Sequence, residues 1–152
     1  MERETQRKLK DYEHLLRKFQ YREALDAVLS KGDPLLVVSA LEELLIRQSL
    51  QAALGGRNNQ ELEPILQFLY KYILNPRYNA HLFMVFHIVL DLYASVLGRA
   101  PLVDDLVMRI HLKIENEVKL QRQMFELAGT LELVGFIISY YPFLHKLTIW
   151  MW

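Results

Sequence analysis

Apolar residues recur along most of this chain at intervals of three and four, the period of an α-helix packed on one side. Leu9, Tyr12, Leu15, Leu16 and Phe19 set the stripe in residues 2–18, among many charges. Tyr21, Ala24, Leu25, Val28 and Leu29 continue it over 20–31, where Gly32 ends the run. Only a turn separates the two segments, which predicts an αα-hairpin. Asp33-Pro34 reads as an N-cap followed by proline at the first helical position. The third helix it opens faces inward with Leu35, Val38, Leu41, Leu44 and Leu45, leaving Glu42, Glu43 and Arg47 wet. Ser49 is placed to cap a short helix over 50–54 that stops at Gly55-Gly56. Arg57-Asn58-Asn59 reads as a turn. A fifth helix runs from about Gln60 to Leu74 on Leu62, Ile65, Leu66, Leu69, Tyr72 and Ile73. Pro64 has no N–H to donate, so this helix is predicted to start late or bend. Asn75-Pro76-Arg77-Tyr78 is a tight connector, since the residue before proline resists the helical region.

Residues 79–98 form the most apolar segment. Its polar residues His81, His87, Asp91 and Ser95 fall within about a third of the circumference at 100° per residue. With Asn79 as N-cap and Gly98 as the left-handed residue past the end, it predicts a core rod enclosed by other helices. Pro101 opens a long helix over about 102–128, apolar through Val103, Leu106, Val107, Ile110 and Ile114 and mostly polar over 115–123. Gly129 ends it, Thr130 caps a last helix over 131–141, and Pro142 stops that one. Strand alternation persists nowhere. The fold expected is all-α, an α-solenoid-like bundle of about seven to eight helices in antiparallel hairpins, without a strict repeat period.

Composition narrows what such a bundle does. Of 152 residues, 52% are hydrophobic and 24% charged, which places the chain among globular domains rather than disordered ones. Lys+Arg and Asp+Glu number 18 each, so no overall basic field draws nucleic acid. Cysteine is absent, which removes disulfides and thiolate zinc sites. Leu133 to Trp152 carries only His145 and Lys146 among Asp, Glu, Lys, Arg and His, and its length could span a bilayer. Pro142, those two polar groups and the terminal tryptophans argue instead for a packed or irregular tail.

Candidate chemistry is sparse. Gly55-Gly56 lacks the preceding strand and following lysine of a phosphate cradle. His87 and Asp91 stand at i, i+4 without a third ligand, and Ser39 and Ser95 lie mid-helix without a nucleophile elbow. Asp104-Asp105 suits the positive end of a helix. No catalytic, cofactor or metal site is expected. Basic residues beside aromatics occur in Arg17-Lys18-Phe19-Gln20-Tyr21-Arg22 and at Arg77-Tyr78, the pattern of an RNA contact. Phe19 and Tyr21 are expected to pack the first hairpin instead. Arg17, Lys18, Arg22, Arg57, Arg77 and Tyr78 are the candidate RNA or partner contacts.

Four segments recur here in the order and approximate spacing of a known helical domain: Leu16-Arg-Lys-Phe-Gln-Tyr-Arg-Glu-Ala-Leu-Asp-Ala-Val-Leu29, Ala53-Leu-Gly-Gly-Arg57, Asn75-Pro-Arg-Tyr78 and Asp91-Leu-Tyr93. Over about residues 8–134 the chain resembles the C-terminal domain of the fifteenth Utp family, WD-repeat proteins associated with the U-three small nucleolar RNA. The resemblance implies a non-catalytic subunit of the UtpA (transcription-linked) subcomplex of the small-subunit processome. It implies a nucleolar place, a role in pre-ribosomal RNA processing, and assembly with other UtpA subunits through helical C-terminal domains. Pre-rRNA and the U-three particle are its further implied partners, with no small-molecule substrate or cofactor. The domain expected is 1–134, without the family's WD-repeat propeller, as in a fragment or isolated domain. Residues 135–152 form an apolar, aromatic tail unlike the family's polar one, as a mis-spliced message would produce.

Overall fold

A computed structural model describes the backbone of residues 12–150 and the side chains of residues 12–135. Seven helices run through the described residues: α1 (12–17), α2 (Tyr21–Lys31), α3 (Pro34–Ile46), α4 (Leu50–Leu54), α5 (Asn59–Tyr72), α6 (Asn79–Tyr93) and α7 (Pro101–Trp150). The described residues contain no strand, and the all-α expectation holds. Most of the charged first segment, residues 2–11, lies outside them. The chain divides into two units, Met1–His111 and Leu112–Trp152.

In the first unit, α2 packs against α3, α4 and α5, while α6 packs against α3, α4 and α5. The five-residue α4 buries Leu50, Ala53 and Leu54 where α2, α3 and α6 meet. The stripes read from the sequence supply this core: Leu25 and Val28 from α2, Leu41 and Leu44 from α3, Leu62, Leu66 and Leu69 from α5, Leu82, Val85 and Val89 from α6. Asp33 caps α3 as predicted, its side chain accepting from the Leu35 N–H at 3.0 Å with Pro34 behind it.

Several ends differ from expectation. Ser49 does not cap α4; its hydroxyl donates back to the Leu44 carbonyl at 3.3 Å. Helix α5 starts at Asn59 rather than late. A reciprocal capping box, Asn58 with Glu61, fixes its first turn five residues before Pro64 is reached. Tyr78, not Asn79, precedes α6, which ends at Tyr93; Gly98 takes φ +87° five residues further on. There the Gly98 N–H donates to Asp104 in the first turn of α7 at 2.8 Å.

The rod is not enclosed. Leu82, Val85, Phe86, Val89 and Tyr93 are buried, but Phe83, Met84 and Leu92 face solvent. Its apolar circumference is wider than the stripe its three neighbours cover. The other correction concerns α7, which continues through Gly129, Thr130 and Pro142 where a break and a second helix were expected. Thr130 turns its hydroxyl onto the Leu127 carbonyl at 2.7 Å, a bond made within a helix rather than a cap. Glycine inside a helix costs only about 1 kcal/mol, and proline can kink one without ending it. In the second unit, side chains from Leu120 to Val134 are exposed.

Candidate functional site

Three of the four recurring segments, all but Asn75–Tyr78, meet around one arginine. Arg57 leaves the Gly55-Gly56 turn and folds back over α4, its side chain fully buried. Its Nε donates to the Ala53 carbonyl at 3.0 Å and its guanidinium pairs with Asp26 of α2 at 2.5 Å. A further N–H reaches the Arg22 carbonyl at 3.4 Å. The turn needs both glycines. A Cβ on Gly55 would lie 2.9 Å from the Gln51 carbonyl oxygen, and Gly56 takes φ +66°.

Tyr93 closes the junction from α6. Its hydroxyl accepts from the Arg57 backbone N–H at 2.8 Å and donates to the Leu54 carbonyl at 2.8 Å. Beside it, Arg22 bonds the Glu61 carboxylate and, at 3.3 Å, the Gly56 carbonyl. Glu61 also accepts from the Asn58 N–H at 3.0 Å. That backbone bond, and after it Arg22, holds the Glu61 carboxyl below the usual carboxylate range. The cluster ties α2, α4, α5 and α6 together and has no nucleophile or proton-transfer geometry. Sequence reasoning missed Asp26 and the Tyr93 hydroxyl. The signal was an arginine directly after Gly-Gly, with an acid and a tyrosine in the companion segments.

The six candidate contacts therefore separate. Arg57 is corrected from a surface contact to a buried tie, and Arg22 is engaged with Glu61 and Gly56. Arg17 and Lys18 are exposed at the end of α1. Arg77 is exposed on the α5–α6 connector, its guanidinium 5.9 Å from the half-buried Tyr78 ring. Asn75 shapes that connector, its side chain accepting from the Arg77 N–H at 3.0 Å. Phe19 does not pack the hairpin as expected. It is 75% exposed, at φ +60°, with its ring edge-on to Tyr21 at 6.1 Å.

Two surface hollows flank α3. One, of about 380 Å³, is lined by Tyr12, Leu16, Arg17, Ser39, Glu43 and Arg47. The Tyr12 hydroxyl is buried without a partner among the described residues; burial and then Glu43 push its pKa up to about 12. The other, of about 420 Å³, lies between α3 and α6, lined by Glu42, Leu45, Ile46, His81 and Met84. Ile46 is 78% and Met84 53% exposed, so this hollow is an apolar patch with a polar rim. His81 Nδ1 lies 3.2 Å from Glu42 at that rim. His87 and Asp91 stand 3.6 Å apart on the solvent side of α6. Among the described residues no group of His, Asp and Glu is arranged to hold a metal, and no helix is long and apolar enough to cross a membrane.

The family described as "UTP15 C terminal" matches residues 1–134. The U3 small nucleolar RNA-associated protein 15 of Schizosaccharomyces pombe is 34% identical over 135 residues, covering 89% of this chain and 27% of the relative. Its homologue in Danio rerio is 35% identical over 128 residues, covering 82% of this chain and 25% of the relative. The Homo sapiens homologue is 31% identical over 136 residues, covering 87% and 26%. The chain thus spans about a quarter of the length of the curated relatives it matches.

Proposed function

The chain belongs to the family of UTP15 C-terminal domains, and on that premise we propose that it is a non-catalytic scaffold module of ribosome biogenesis. Its work is to dock against other helical subunits, those of the UtpA subcomplex, in the nucleolus during small-subunit pre-rRNA processing. The relatives' names tie them to the U3 small nucleolar RNA, which supports this reading without assigning a contact. The observation that carries the reading is the α3–α6 face. Ile46 and Met84 stay exposed beside Leu45 while the arginine junction fixes α6 against its neighbours. A rigid apolar patch with a polar rim fits a partner helix better than a small ligand.

The test is affinity capture from nucleolar extract with the partners identified by mass spectrometry. UtpA subunits should be recovered, and should remain after ribonuclease treatment. Recovery of no UtpA subunit would reject the reading.

A second reading, direct pre-rRNA binding, is favoured by one observation: Phe19 is exposed beside Arg17 and Lys18. Base stacking on an exposed ring next to cations suits single-stranded RNA. Binding to spacer RNA should then weaken steeply with salt and fall on Arg17→Glu with Lys18→Glu. Arg77→Glu, on the other exposed basic site, should weaken it further. Salt-insensitive or absent binding rejects this reading.

A further inference from the structure

The α3–α6 face has a charge of its own. Among Asp, Glu, Lys and Arg, the two helices carry only Glu42, Glu43 and Asp91, although acids and bases balance at 18 each in the chain. Glu43 is neutralised by Arg47, one turn on, at 2.6 Å. Arg77, the basic residue just before α6, lies 5.9 Å from the Tyr78 ring. Glu42 and Asp91 are paired with no lysine or arginine among the described residues. Glu42 stands 3.2 Å from His81 Nδ1, which makes no hydrogen bond, and Asp91 stands 3.6 Å from His87. The two carboxylate side chains are 40% and 68% exposed.

Both acids share the outer face with the apolar anchors. Glu42 precedes Ile46 by one turn of α3, and Asp91 follows Met84 by two turns of α6. From His81, beside Glu42, to Asp91 the axis of α6 advances about 15 Å. An acidic helix laid across Ile46 and Met84 therefore meets like charge towards both ends. A second copy of this face brings carboxylates against carboxylates. A helix with lysine or arginine at the edges of its apolar stripe covers the same anchors and meets opposite charge instead.

We propose that the α3–α6 face takes a basic amphipathic helix of another chain, with lysines or arginines seated against Glu42 and Asp91. This rests on the docking reading and adds the charge of the partner.

The test uses the purified full chain and two synthetic helical peptides with the same leucine stripe, one flanked by lysines and the other by glutamates, with binding read by fluorescence anisotropy. The lysine-flanked peptide should bind about tenfold more tightly at low salt, and the margin should narrow as salt rises. In a Glu42→Lys, Asp91→Lys double variant the preference should reverse. Both positions face solvent, and thermal unfolding of the variant at the parent's temperature verifies that it is folded. Equal binding of the two peptides by the parent, binding of neither, a preference unaltered in the folded double variant, or dimerisation of the parent that Ile46→Asp abolishes would each overturn the proposal. Capture of UtpA subunits from nucleolar extract decides the docking reading separately. Recovery of those subunits by a chain that shows no preference between the peptides would keep the docking and remove the basic partner.

Discussion

Tyr93 and Tyr12 place opposite demands on their hydroxyls. Tyr93 spends its oxygen on the Arg57 N–H and its proton on the Leu54 carbonyl, both buried. Tyr93→Phe leaves those groups unpaired and should destabilise the first unit by about 1–3 kcal/mol in urea unfolding. The Tyr12 hydroxyl has no partner among the described residues, so Tyr12→Phe should be neutral or mildly stabilising near neutral pH. Its pKa is raised from 10.0 to about 12, first by burial and then by Glu43. A raised pKa contributes stability that is complete below pH 10.0 and is lost as pH climbs towards about 12. Alkaline unfolding should therefore be shallower in Tyr12→Phe than in the parent. Glu61 carries the opposite sign. Its carboxyl is lowered by the Asn58 N–H and then by Arg22, so its contribution is present above the ordinary carboxylate pKa and lost as pH falls through the lowered one. Glu61→Gln should flatten the acid limb of stability against pH.

At the scale of the element, the sequence was most legible where a local interaction decides the outcome. Asp33-Pro34 opens α3 as its chemistry requires, and the inward stripes of α2, α3 and α5 fill the core, except that Leu35, expected to face inward, is 53% exposed. It was least legible at helix ends. Phe19 and Gln48 sit at positive φ where glycine is the usual choice, and in each case two backbone bonds close the turn. Gly129 misled in the other direction, because a glycine marks a stop only when something else prevents continuation. A Cβ there meets nothing within 4 Å. Gly129→Ala should therefore raise helicity by circular dichroism and stabilise the segment by about 1 kcal/mol; a loss of helicity would restore the break. The exposed flank of α6 could not be read, since periodicity records how much apolar surface a helix has and not how much its neighbours cover. The arginine junction was hidden for a related reason: Asp26, Arg57 and Tyr93 are far apart in the chain, and each is an ordinary residue until the fold brings them together.

For the molecule as a whole, the two kinds of surface residue have different consequences. Val89 is 1% exposed in α6, and Val89→Asp buries an unpaired carboxylate, which should cost several kcal/mol and unfold the first unit. Ile46 and Met84 border the α3–α6 hollow and bear no such load. Stability and partner binding can thus be separated by substitution. The most direct measurement compares the parent with an Ile46→Asp, Met84→Asp double variant, each used to capture partners from nucleolar extract under identical conditions, with thermal unfolding recorded for both. Docking through this face predicts that the two unfold at nearly the same temperature while the double variant loses the UtpA subunits the parent recovers. Undiminished recovery of those subunits by a folded double variant would contradict it.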